Sequence, residues 1–384
     1  MEIMPNAQEI EFKEAFVKRY SSLTNFEEFK QYSLSFLRKG IRVNTLKINV
    51  SDLKKRLSAD WILKQVPWCK QGFWIEHKGT KNDEGELEKR RDIGNLAEHV
   101  LGYIYVQEPA SMIPPIILDP KPGETVLDMC AAPGSKTTQI AQYMENNGTI
   151  IANDLDASRL AALGINLQRC GVTNCIKTMM KGHRFGKLLE NGLSEKSKLL
   201  PISESTTKTT YSEGRGKPHP GMPDNETSFC SDEAGSNLRS KDFSLSQEKG
   251  IFDKILVDAP CSGTGTIRKS LKTIRMWNPN MIKRISAIQK QLVKTAFPLL
   301  KKGGTMVYST CTLEPEEDEE VIDYILNEFE NAKVEKIELA GLKQSDAVTE
   351  FEGKKYSDEV KKCLRIWPQD NDSEGFFVGK IRKV

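Results

Sequence analysis

The sequence lacks the marks of several familiar protein classes. None of its eight cysteines stands in a C-x-x-C pair, which disfavours a zinc knuckle or a thioredoxin-type site, and we expect no metal. No apolar stretch is long enough to cross a bilayer. Residues 1–20 are polar and acidic, which disfavours a signal peptide. These absences predict a cytoplasmic protein with free cysteines and no membrane partner.

A strong charge imbalance is also missing, since 56 Lys and Arg face 53 Asp and Glu, for a net charge of +3. This balance does not exclude a nucleic-acid partner, because the local charge of a surface decides its contact with phosphates. Hydrophobic residues make up 38% of the 384 residues, which is enough for a large core. The length favours two domains over one.

The first part of the chain, residues 1–118, is predicted to form a smaller α+β region. Aromatic residues recur at helical spacing within 10–38, which predicts two amphipathic helices. Residues 42–47 alternate β-branched and polar side chains, and residues 61–78 are aromatic and strand-like.

From residue 119 to 384 strands alternate with helices, which predicts an α/β domain with a doubly wound, Rossmann-like parallel sheet. The predicted strands are 124–129, 149–153, 174–179, 252–257, 305–309 and 375–381. The predicted helices are 135–143, 157–170, 280–300 and 315–330. Residues 188–250 interrupt the pattern with few large apolar side chains. We expect a disordered insertion there, because it cannot bury enough surface to offset its ordering entropy.

A strand, a tight loop of small residues and the start of a helix follow one another at 126–137. In a doubly wound sheet, this first turn is where a nucleotide-like ligand approaches the backbone. Gly134 permits an unusual backbone angle within the loop. About 20 residues later Asp154 ends the second strand, where an acid can accept hydrogen bonds from both ribose hydroxyls.

Two nucleotide-binding motifs are missing from this loop, and their absence disfavours two classes of ligand. G-x-G-x-x-G is absent, which disfavours a dinucleotide, and a P-loop would need Gly where Ser135 stands. An adenosyl ligand without a phosphate chain fits better. The alternative is a plain strand–helix turn followed by a surface aspartate.

Two cysteines follow strand ends, in Asp258-Ala-Pro-Cys261 and in Ser-Thr-Cys311. Ligands of such sheets bind beyond the carboxyl ends of the strands. We therefore expect Asp154, Asp258, Cys261 and Cys311 to converge on one rim. A buried, inert role is the ordinary alternative for any single cysteine, but two loop cysteines at one rim favour chemistry.

No Asp or Glu stands between Asp258 and Glu314, and both cysteines lie inside this span. Its basic residues are Arg268, Lys269, Lys272, Arg275, Lys283, Arg284, Lys290, Lys294, Lys301 and Lys302. A cationic setting lowers the pKa of a thiol and attracts phosphates. The alternative, expected for about half of these residues, is the solvated face of a helix. Trp277 is either a stacking platform for a base or a core residue, and the core is favoured.

Several short motifs stand in a fixed order along the chain. They are Arg42–Lys47, Tyr105–Met112, Asp128–Thr137, Asp258–Gly265, Tyr308–Cys311, Arg365–Pro368 and Gly375–Phe377. Together they resemble the Nop/Sun, RsmB-like family of RNA 5-methylcytosine methyltransferases. The resemblance runs from about Arg42 to the C-terminus, apart from the insertion. It implies a class I methyltransferase domain with a smaller N-terminal region that positions RNA.

The resemblance implies S-adenosylmethionine as the cofactor. The methionine end would lie in the loop of Cys130, Ala131, Ala132, Pro133, Gly134, Ser135 and Lys136. Asp154 would hold the ribose, and Arg159 lies where the family often has an arginine near the cofactor. Asp258 would face both the cofactor and the target base.

The resemblance also implies the chemistry. Cys311 would attack carbon 6 of cytosine, so that carbon 5 can take the methyl group. Asp258 would hydrogen-bond ring nitrogen 3 and offset the charge that develops there. Cys261 would act as base or base relay in product release, and Lys136 would position the base or polarise the site. The target base must be unstacked into the pocket.

One departure from the family pattern follows the third predicted strand. The family usually carries an Asp-Gly pair there that contacts the adenine side of the cofactor, whereas this chain has Lys181-Gly182. Without this acid, the contact to the adenine of the cofactor is in doubt. The roles implied for the two thiols are not affected.

The expected partner is RNA, with tRNA ahead of rRNA, and the expected state is a monomer. The compact chain, without an appended RNA-binding domain, resembles archaeal members that methylate tRNA. Two rival functions are a non-catalytic RNA-binding or ribosome-assembly factor and a methyltransferase acting on nitrogen or oxygen. The presence of Cys261, Cys311, Asp258 and Lys136 argues against the first rival. Paired thiols would be idle in the second.

Overall fold

The computed structural model describes residues 2–5, 7–81, 87–88, 90, 92–182, 185 and 250–384. The predicted insertion at 188–250 lies outside the described residues, apart from Gly250. The strands are β1 (Gly40–Val43), β2 (Trp61–Gln65), β3 (Gly72–His77), β4 (Thr80–Lys81), β5 (Leu87–Glu88), β6 (Ile104–Val106), β7 (Thr125–Asp128), β8 (Thr149–Asp154), β9 (Cys175–Met179), β10 (Phe252–Asp258), β11 (Leu300–Thr310), β12 (Ala332–Glu335), β13 (Glu350–Phe351), β14 (Lys354–Lys355), β15 (Leu364–Ile366) and β16 (Phe376–Lys383).

The helices alternate with these strands in the second half of the chain. They are α1 (Glu14–Ser21), α2 (Phe26–Ser33), α3 (Val50–Leu57), α4 (Ala97–Val100), α5 (Ile113–Leu118), α6 (Ser135–Tyr143), α7 (Ala157–Cys170), α8 (Lys272–Met276), α9 (Pro279–Ala296), α10 (Glu319–Glu328) and α11 (Pro368–Asn371). Within the described residues, none of these helices combines the length and apolar character that a membrane span needs.

The N-terminal sheet has the strand order β2-β3-β1-β6, with antiparallel neighbours throughout. The two helices predicted within 10–38 are confirmed as α1 and α2. The strand predicted at 42–47 is wrong in its second half. The chain turns after Val43, because Asn44 Nδ2 donates to the carbonyl oxygens of Gly102 and Cys170, each at 2.8 Å.

The larger sheet has the order β12-β16-β11-β10-β7-β8-β9, and β15 pairs with β16. Strands β11, β10, β7, β8 and β9 run parallel, whereas β16 runs antiparallel to β11 and β12. The chain order reverses at β7, which has β8 on one side and β10 on the other. This confirms the predicted α/β class with a doubly wound, Rossmann-like sheet. The domain boundary near residue 118 stays a prediction.

Helices cover both faces of the larger sheet. On one face, Leu256 and Val307 lie in a buried cluster with Ile140 of α6 and Leu163 of α7. On the other face, the alternate strand residues pack against Val293 of α9 and residues of α10. Each fully buried side chain of this size contributes about 1.5–3 kcal/mol, which makes the sheet a rigid base for the loops at its edge.

An aromatic cluster attaches the N-terminal helices to the α/β part of the chain. Phe16 and Tyr20 of α1 stack with their ring centroids 4.0 Å apart, and Phe16 contacts Trp277 edge-on at 5.2 Å. Trp277 is 3% exposed and its Nε1 donates to Glu314 Oε1 at 2.9 Å. Trp277 is therefore a core residue, as the sequence favoured.

Arg42 of β1 makes a second link between the two parts of the chain. Its guanidinium is fully buried and donates hydrogen bonds to acceptors of α6 and of the loop after β6, which are Gln107, Ser135 O, Thr138, Gln139 and Gln142. Burial lowers the pKa of Arg42 from its usual value. The hydrogen bonds go to uncharged oxygens, so their number, and not an ion pair, holds this cation in place.

Two predicted helices have different ends in the structure. The helix predicted at 280–300 ends at Ala296, and a 3-10 turn at Phe297–Leu299 leads into β11. Pro298 lies in that turn and has no N–H to continue the helix. The helix predicted at 315–330 begins only at Glu319. Its preceding acids turn inward, where Asp318 Oδ2 accepts from Arg365 Nη2 at 3.0 Å.

Candidate active site

The carboxyl ends of β7, β8, β10 and β11 meet at one edge of the larger sheet. A cavity of about 400 Å³ opens there. It is lined by Tyr105, Val106, Gln107, Glu108, Ser111, Asp128, Cys130, Ala131, Ala132, Pro133, Ser135, Lys136, Asp258, Ala259, Thr266, Lys269, Cys311, Glu374 and Phe376. The N-terminal region, the β7–α6 loop and the ends of three strands therefore share one pocket.

The loop after β7 is held close to the sheet by its own backbone. Ala131 N–H donates to the Asn153 carbonyl at 2.7 Å, and Ala132 N–H donates to Asp154 Oδ2 at 3.2 Å. Gly134 has a φ of +105°, and a Cβ built there would lie 2.7 Å from Leu163 Cδ1. Only glycine fits both the backbone angle and this close approach to α7.

Asp154 and Arg159 sit behind this loop. Asp154 is buried at the end of β8, and Arg159 Nη1 lies 3.4 Å from its Oδ2. Arg159 Nη2 also donates to the Ala132 carbonyl at 2.6 Å. The two side chains thus brace the loop, and neither is among the residues that line the cavity.

Asp128 is a cavity residue that our sequence reasoning did not single out. It is buried at the end of β7, and its Oδ2 accepts from Thr137 Oγ1 at 2.7 Å. Its Oδ1 has no hydrogen-bond partner within the described structure. Burial raises the pKa of Asp128 to about 7, against the opposing effect of the Thr137 hydrogen bond. Its place at the end of the first strand of the doubly wound sheet was the available signal.

Asp258 and Lys136 form an ion pair across the cavity. Lys136 Nζ lies 2.7 Å from Asp258 Oδ2 and donates to Ser111 Oγ at 2.9 Å. Ser309 Oγ donates to the other carboxylate oxygen of Asp258 at 2.8 Å. Burial alone would lower the pKa of Lys136, but the charge and hydrogen bond of Asp258 outweigh it and raise the pKa.

The two predicted cysteines meet. Cys261 Sγ and Cys311 Sγ are 3.1 Å apart, and Cys311 lines the cavity while Cys261 lies behind it. The hydrogen bond to Cys311, and then burial, raise the pKa of Cys261 well above its usual value. The lowered thiol pKa expected from the basic span is therefore wrong for Cys261, because the charges of Cys311 and Glu317 also raise its pKa.

Backbone bonds fix the loops that carry the two thiols. Gly265 N–H donates to the Cys311 carbonyl at 3.0 Å, and Gly375 N–H donates to the Gly265 carbonyl at 2.9 Å. A Cβ on Gly265 would lie 2.2 Å from the oxygen of Gly375 and 2.8 Å from that of Cys311. The close approach of three backbone segments explains why glycine stands at residue 265.

The basic residues of the 268–302 span divide between structure and surface. Arg268 is 4% exposed, and its Nη2 lies 2.8 Å from Asp372 Oδ1. Lys290 and Lys294 pair with acids of α10. Lys269 is exposed at the cavity, and the other exposed basic residues of α8 and the start of α9 are Lys272, Arg275, Lys283 and Arg284.

A pair of glutamates, Glu108 and Glu374, also lines the cavity. Glu108 accepts hydrogen bonds from the N–H groups of Ala110 and Ser111 and, at 3.2 Å, from that of Glu374. Burial, followed by the charge of Glu374, raises the pKa of Glu108 to about 8. The sequence separates the two residues too widely for spacing to pair them, so they were missed.

The family is decided by comparison with known proteins. A family model described as 16S rRNA methyltransferase RsmB/F matches residues 115–196 and 235–382. A second model, the N-terminal domain of 16S rRNA methyltransferase RsmF, matches residues 12–109. This chain belongs to the RsmB/F methyltransferase family. It is an RNA methyltransferase, as the motifs predicted.

Relatives within the RsmB/F family act on different RNAs. A tRNA (cytosine(49)-C(5))-methyltransferase of Pyrococcus abyssi is 40% identical over 97% of this chain and 99% of its own length. Ribosomal RNA small subunit methyltransferase F of Erwinia tasmaniensis is 34% identical over 99% of this chain. The chain spans 65% of that relative's length, and 60% of the length of the same enzyme from Photobacterium profundum.

Solved structures share the RsmB/F architecture found here. A methyltransferase homologue from Pyrococcus horikoshii is 32% identical, with a TM-score of 0.71 and full coverage of both chains. NSun6 from the same organism, solved with SFG, has a TM-score of 0.69 at 22% identity over 97% of this chain and 98% of that one, which shows the fold alone.

The departure at Lys181-Gly182 from the family pattern has a packing counterpart. These residues follow β9, and a Cβ on Gly182 would lie 2.3 Å from Leu292 Cδ2 of α9. A larger residue at 182 would have to displace the end of the flexible Leu292 side chain. The other residue of the pair, Lys181, is exposed.

Proposed function

We propose that this enzyme transfers a methyl group from S-adenosylmethionine to carbon 5 of cytosine in RNA, through a covalent bond from Cys311 to carbon 6. The observation that carries the proposal is the pair of thiols 3.1 Å apart at the rim of the sheet. Beside them stands the Asp258–Lys136 ion pair, within the same cavity. A methyltransferase acting on nitrogen or oxygen would have no use for a second thiol.

The cavity has features that fit S-adenosylmethionine. The loop of Cys130 to Lys136 offers small side chains and backbone groups, Asp154 ends the second strand, and Arg159 braces both. The unpartnered Oδ1 of Asp128 is an acceptor for a positively charged group. When bound, S-adenosylmethionine supplies an electrophilic methyl group. Lys181 offers no carboxylate to the adenine, so this contact falls to other groups.

Cys311 begins the reaction by adding to carbon 6 of the target cytosine. This addition moves electron density to carbon 5, which is otherwise a poor nucleophile. Asp258 and Lys136 act on the ring edge, where negative charge develops at nitrogen 3. The Lys136 ammonium supplies the proton for a hydrogen bond there, through Asp258 or directly, and so stabilises the adduct.

Cys261 ends the reaction. Once carbon 5 carries both a methyl group and its original hydrogen, the Cys261 thiolate removes this hydrogen as a proton. The carbon 5–carbon 6 double bond re-forms, and the bond from carbon 6 to Cys311 breaks with its electron pair going to sulfur. A raised pKa makes Cys261 a strong base for this step once it is deprotonated.

The proposed substrate is tRNA in preference to rRNA. The tRNA-methylating relative is more similar to this chain than the rRNA enzyme of Erwinia tasmaniensis, with 40% against 34% identity. The match also covers 99% of the tRNA enzyme but only 65% of the rRNA enzyme. We assign residues 1–118 the positioning of RNA, because Tyr105, Glu108 and Ser111 form one wall of the cavity. The exposed basic residues beside Lys269 would contact the phosphates.

The seven cysteines of the described residues are all free thiols, which fits a reducing cytoplasm.

Nucleoside mass spectrometry tests the reaction. Bulk tRNA and rRNA are incubated with S-adenosylmethionine and either the wild type, Cys311→Ala or Cys175→Ala, which removes a thiol on β9 away from the cavity. New 5-methylcytidine with the wild type and Cys175→Ala, and none with Cys311→Ala, is the expected result. Gain in the rRNA fraction alone would overturn the tRNA assignment. Cofactor binding without gain in either pool would favour a non-catalytic RNA-binding factor.

Loss of the release base is expected to trap the intermediate. Cys261→Ala leaves Cys311 able to attack, but carbon 5 keeps its proton, so a covalent protein–RNA adduct should accumulate. Denaturing gel electrophoresis with cofactor and RNA checks this as a slowly migrating band that Cys261→Ala,Cys311→Ala lacks. Free RNA alone from Cys261→Ala would contradict the release role.

A further inference from the structure

A buried carboxyl group that does not line the cavity binds the turn that carries Cys261. Glu317 is fully buried, between the Cys311 loop and the start of α10. Its Oε2 accepts from Ser262 N–H at 2.9 Å and from Gln289 Nε2 at 3.0 Å. Its Oε1 has no hydrogen-bond partner within the described structure. One carboxylate oxygen is therefore structural, and the other remains able to accept a proton.

Glu317 holds both neighbours of Cys261 in the chain. It binds Ser262 N–H directly, and this nitrogen is two covalent bonds from the Cys261 Cα. It also binds Gln289, whose Nε2 donates to the Pro260 carbonyl at 2.9 Å. Hydroxyls tie the same turn to the Cys311 loop, since Ser262 Oγ and Thr312 Oγ1 are 2.7 Å apart. The position of Cys261 thus depends on Glu317.

The groups around Glu317 are acids and thiols. Cys261 faces it from the β10 loop, Tyr308 OH donates to its carbonyl from β11, and Glu314 and Asp318 flank it on its own segment. Arg365 is nearby but pairs with Asp318 and Glu319. Glu317 has no ion pair within the described part of the chain.

We propose that Glu317 is the positioning residue for product release: it holds the Cys261 turn and takes up the proton that Cys261 must lose before it can act as a base. The inference rests on the proposed function. The proton passes from Cys261 Sγ to Glu317, which leaves a thiolate. This thiolate takes the carbon 5 proton, the double bond re-forms, and Cys311 leaves with its electron pair. Glu317 then returns its proton to water, which is the one proton that the reaction releases.

The substitution Glu317→Gln separates the two parts of this role. The amide can still accept from Ser262 N–H, so the turn is kept, but it cannot take up a proton. With RNA carrying [5-³H]cytidine, release of tritium reports removal of the carbon 5 proton directly. We expect Glu317→Gln to form the covalent adduct as fast as the wild type and to release tritium about a hundredfold more slowly.

Glu320→Gln is the matched control. Glu320 lies three residues further along, in the first turn of α10. Its substitution removes the same charge, but its half-buried carboxylate pairs with Lys290 and Lys354. It should release tritium at the wild-type rate. Equal tritium release by Glu317→Gln and the wild type would overturn the inference. If Cys311→Ala also forms adduct, the proposed function itself fails, so the two failures are distinguishable.

The wild type offers a test that does not depend on folding of a variant. Burial, against the hydrogen bonds from Ser262 and Gln289, raises the pKa of Glu317 to about 7. Only the ionised carboxylate can take up the Cys261 proton. Single-turnover tritium release should therefore rise with pH through about 7 and then level off, while adduct formation does not follow that curve. A release rate that is flat between pH 6 and 8 would refute the proton-uptake role.

Discussion

Burial gives several acids of the active site an unusual protonation behaviour. Asp128, Glu108 and Glu317 have pKa values raised to about 7, 8 and 7, and burial is the largest cause in each case. The carboxyl groups of all three therefore change charge near neutral pH. The sign is the same for each, since the neutral form is favoured in the folded protein and stability is lost as pH rises toward the raised pKa.

Asp128 is expected to tune the affinity for the cofactor. S-adenosylmethionine is positively charged, and its binding should tighten as the Asp128 carboxylate ionises through its pKa of about 7. Asp128→Asn should bind about tenfold more weakly at pH 8 and nearly as well at pH 6. Isothermal titration at the two pH values measures this difference. Asp119→Asn, at a side chain that is 64% exposed, should match the wild type at both. A tenfold loss that is equal at both pH values would mean that Asp128 does not titrate there.

At the scale of elements, periodicity and strand ends predicted most of the methyltransferase sheet. Helices α6 and α7 have the predicted ends, and the rim position of Asp258 and Cys311 followed from the carboxyl ends of β10 and β11. Helix ends and strand ends can be predicted because the hydrophobic spacing and the small-residue loops that determine them involve residues close together in the sequence. The pairing of Glu108 with Glu374 is not local and depends on how β16 enters the sheet.

The acidic segment after Cys311 shows why the charge reasoning failed. The helix predicted over 315–330 would hold its first acids in its first turn, where the helix dipole favours them. Instead Glu314 and Asp318 bind Arg19 and Arg365, and Glu317 comes to lie next to Cys261. An acid-free span in sequence is therefore not acid-free in space. Glu317 stands six positions after Cys311, and this proximity to the second thiol is the signal in the sequence that could have indicated it.

The packing of the thiol loops predicts a sharp effect at Gly265. Gly265→Ala places a methyl group against two backbone oxygens. These oxygens cannot move away by a change of rotamer, as the end of a side chain could. We expect about 1–3 kcal/mol of lost stability and a larger loss of methylation, because the Cys311 carbonyl must move. Urea unfolding and tritium release measure the two effects. Gly94→Ala, where a Cβ meets only Asp92 Oδ1 at 3.8 Å, serves as the control. Wild-type methylation by Gly265→Ala would show that the loops are adaptable.

At the scale of the whole molecule, the active site depends on contacts between distant parts of the chain. The N-terminal region supplies Glu108 and Ser111 to the cavity, and the segment before β16 supplies Glu374. Arg42 connects β1 to α6, which starts at the cofactor loop. Loosening the N-terminal region should therefore impair both the proposed positioning of RNA and the proposed cofactor loop.

Arg42→Lys tests this coupling. A lysine keeps the charge but loses the planar fork that satisfies several acceptors at once. We expect unfolding free energy to fall by about 3 kcal/mol, since several charge-assisted hydrogen bonds are lost in a fully buried site. Urea titration followed by circular dichroism gives the value. Arg56→Lys, at an exposed pair with Glu98, should change it by less than about 0.5 kcal/mol. An equal change in both variants would refute the coupling.

The aromatic cluster between the two parts of the chain has a practical consequence for spectroscopy. Of the five tryptophans, Trp61, Trp68 and Trp74 lie in the N-terminal region, and Trp277 and Trp367 pack against α1 or α2. All five are buried. Intrinsic fluorescence therefore reports on the seating of the N-terminal region, and its emission should shift to longer wavelength when that region lifts away, even while the parallel sheet stays folded.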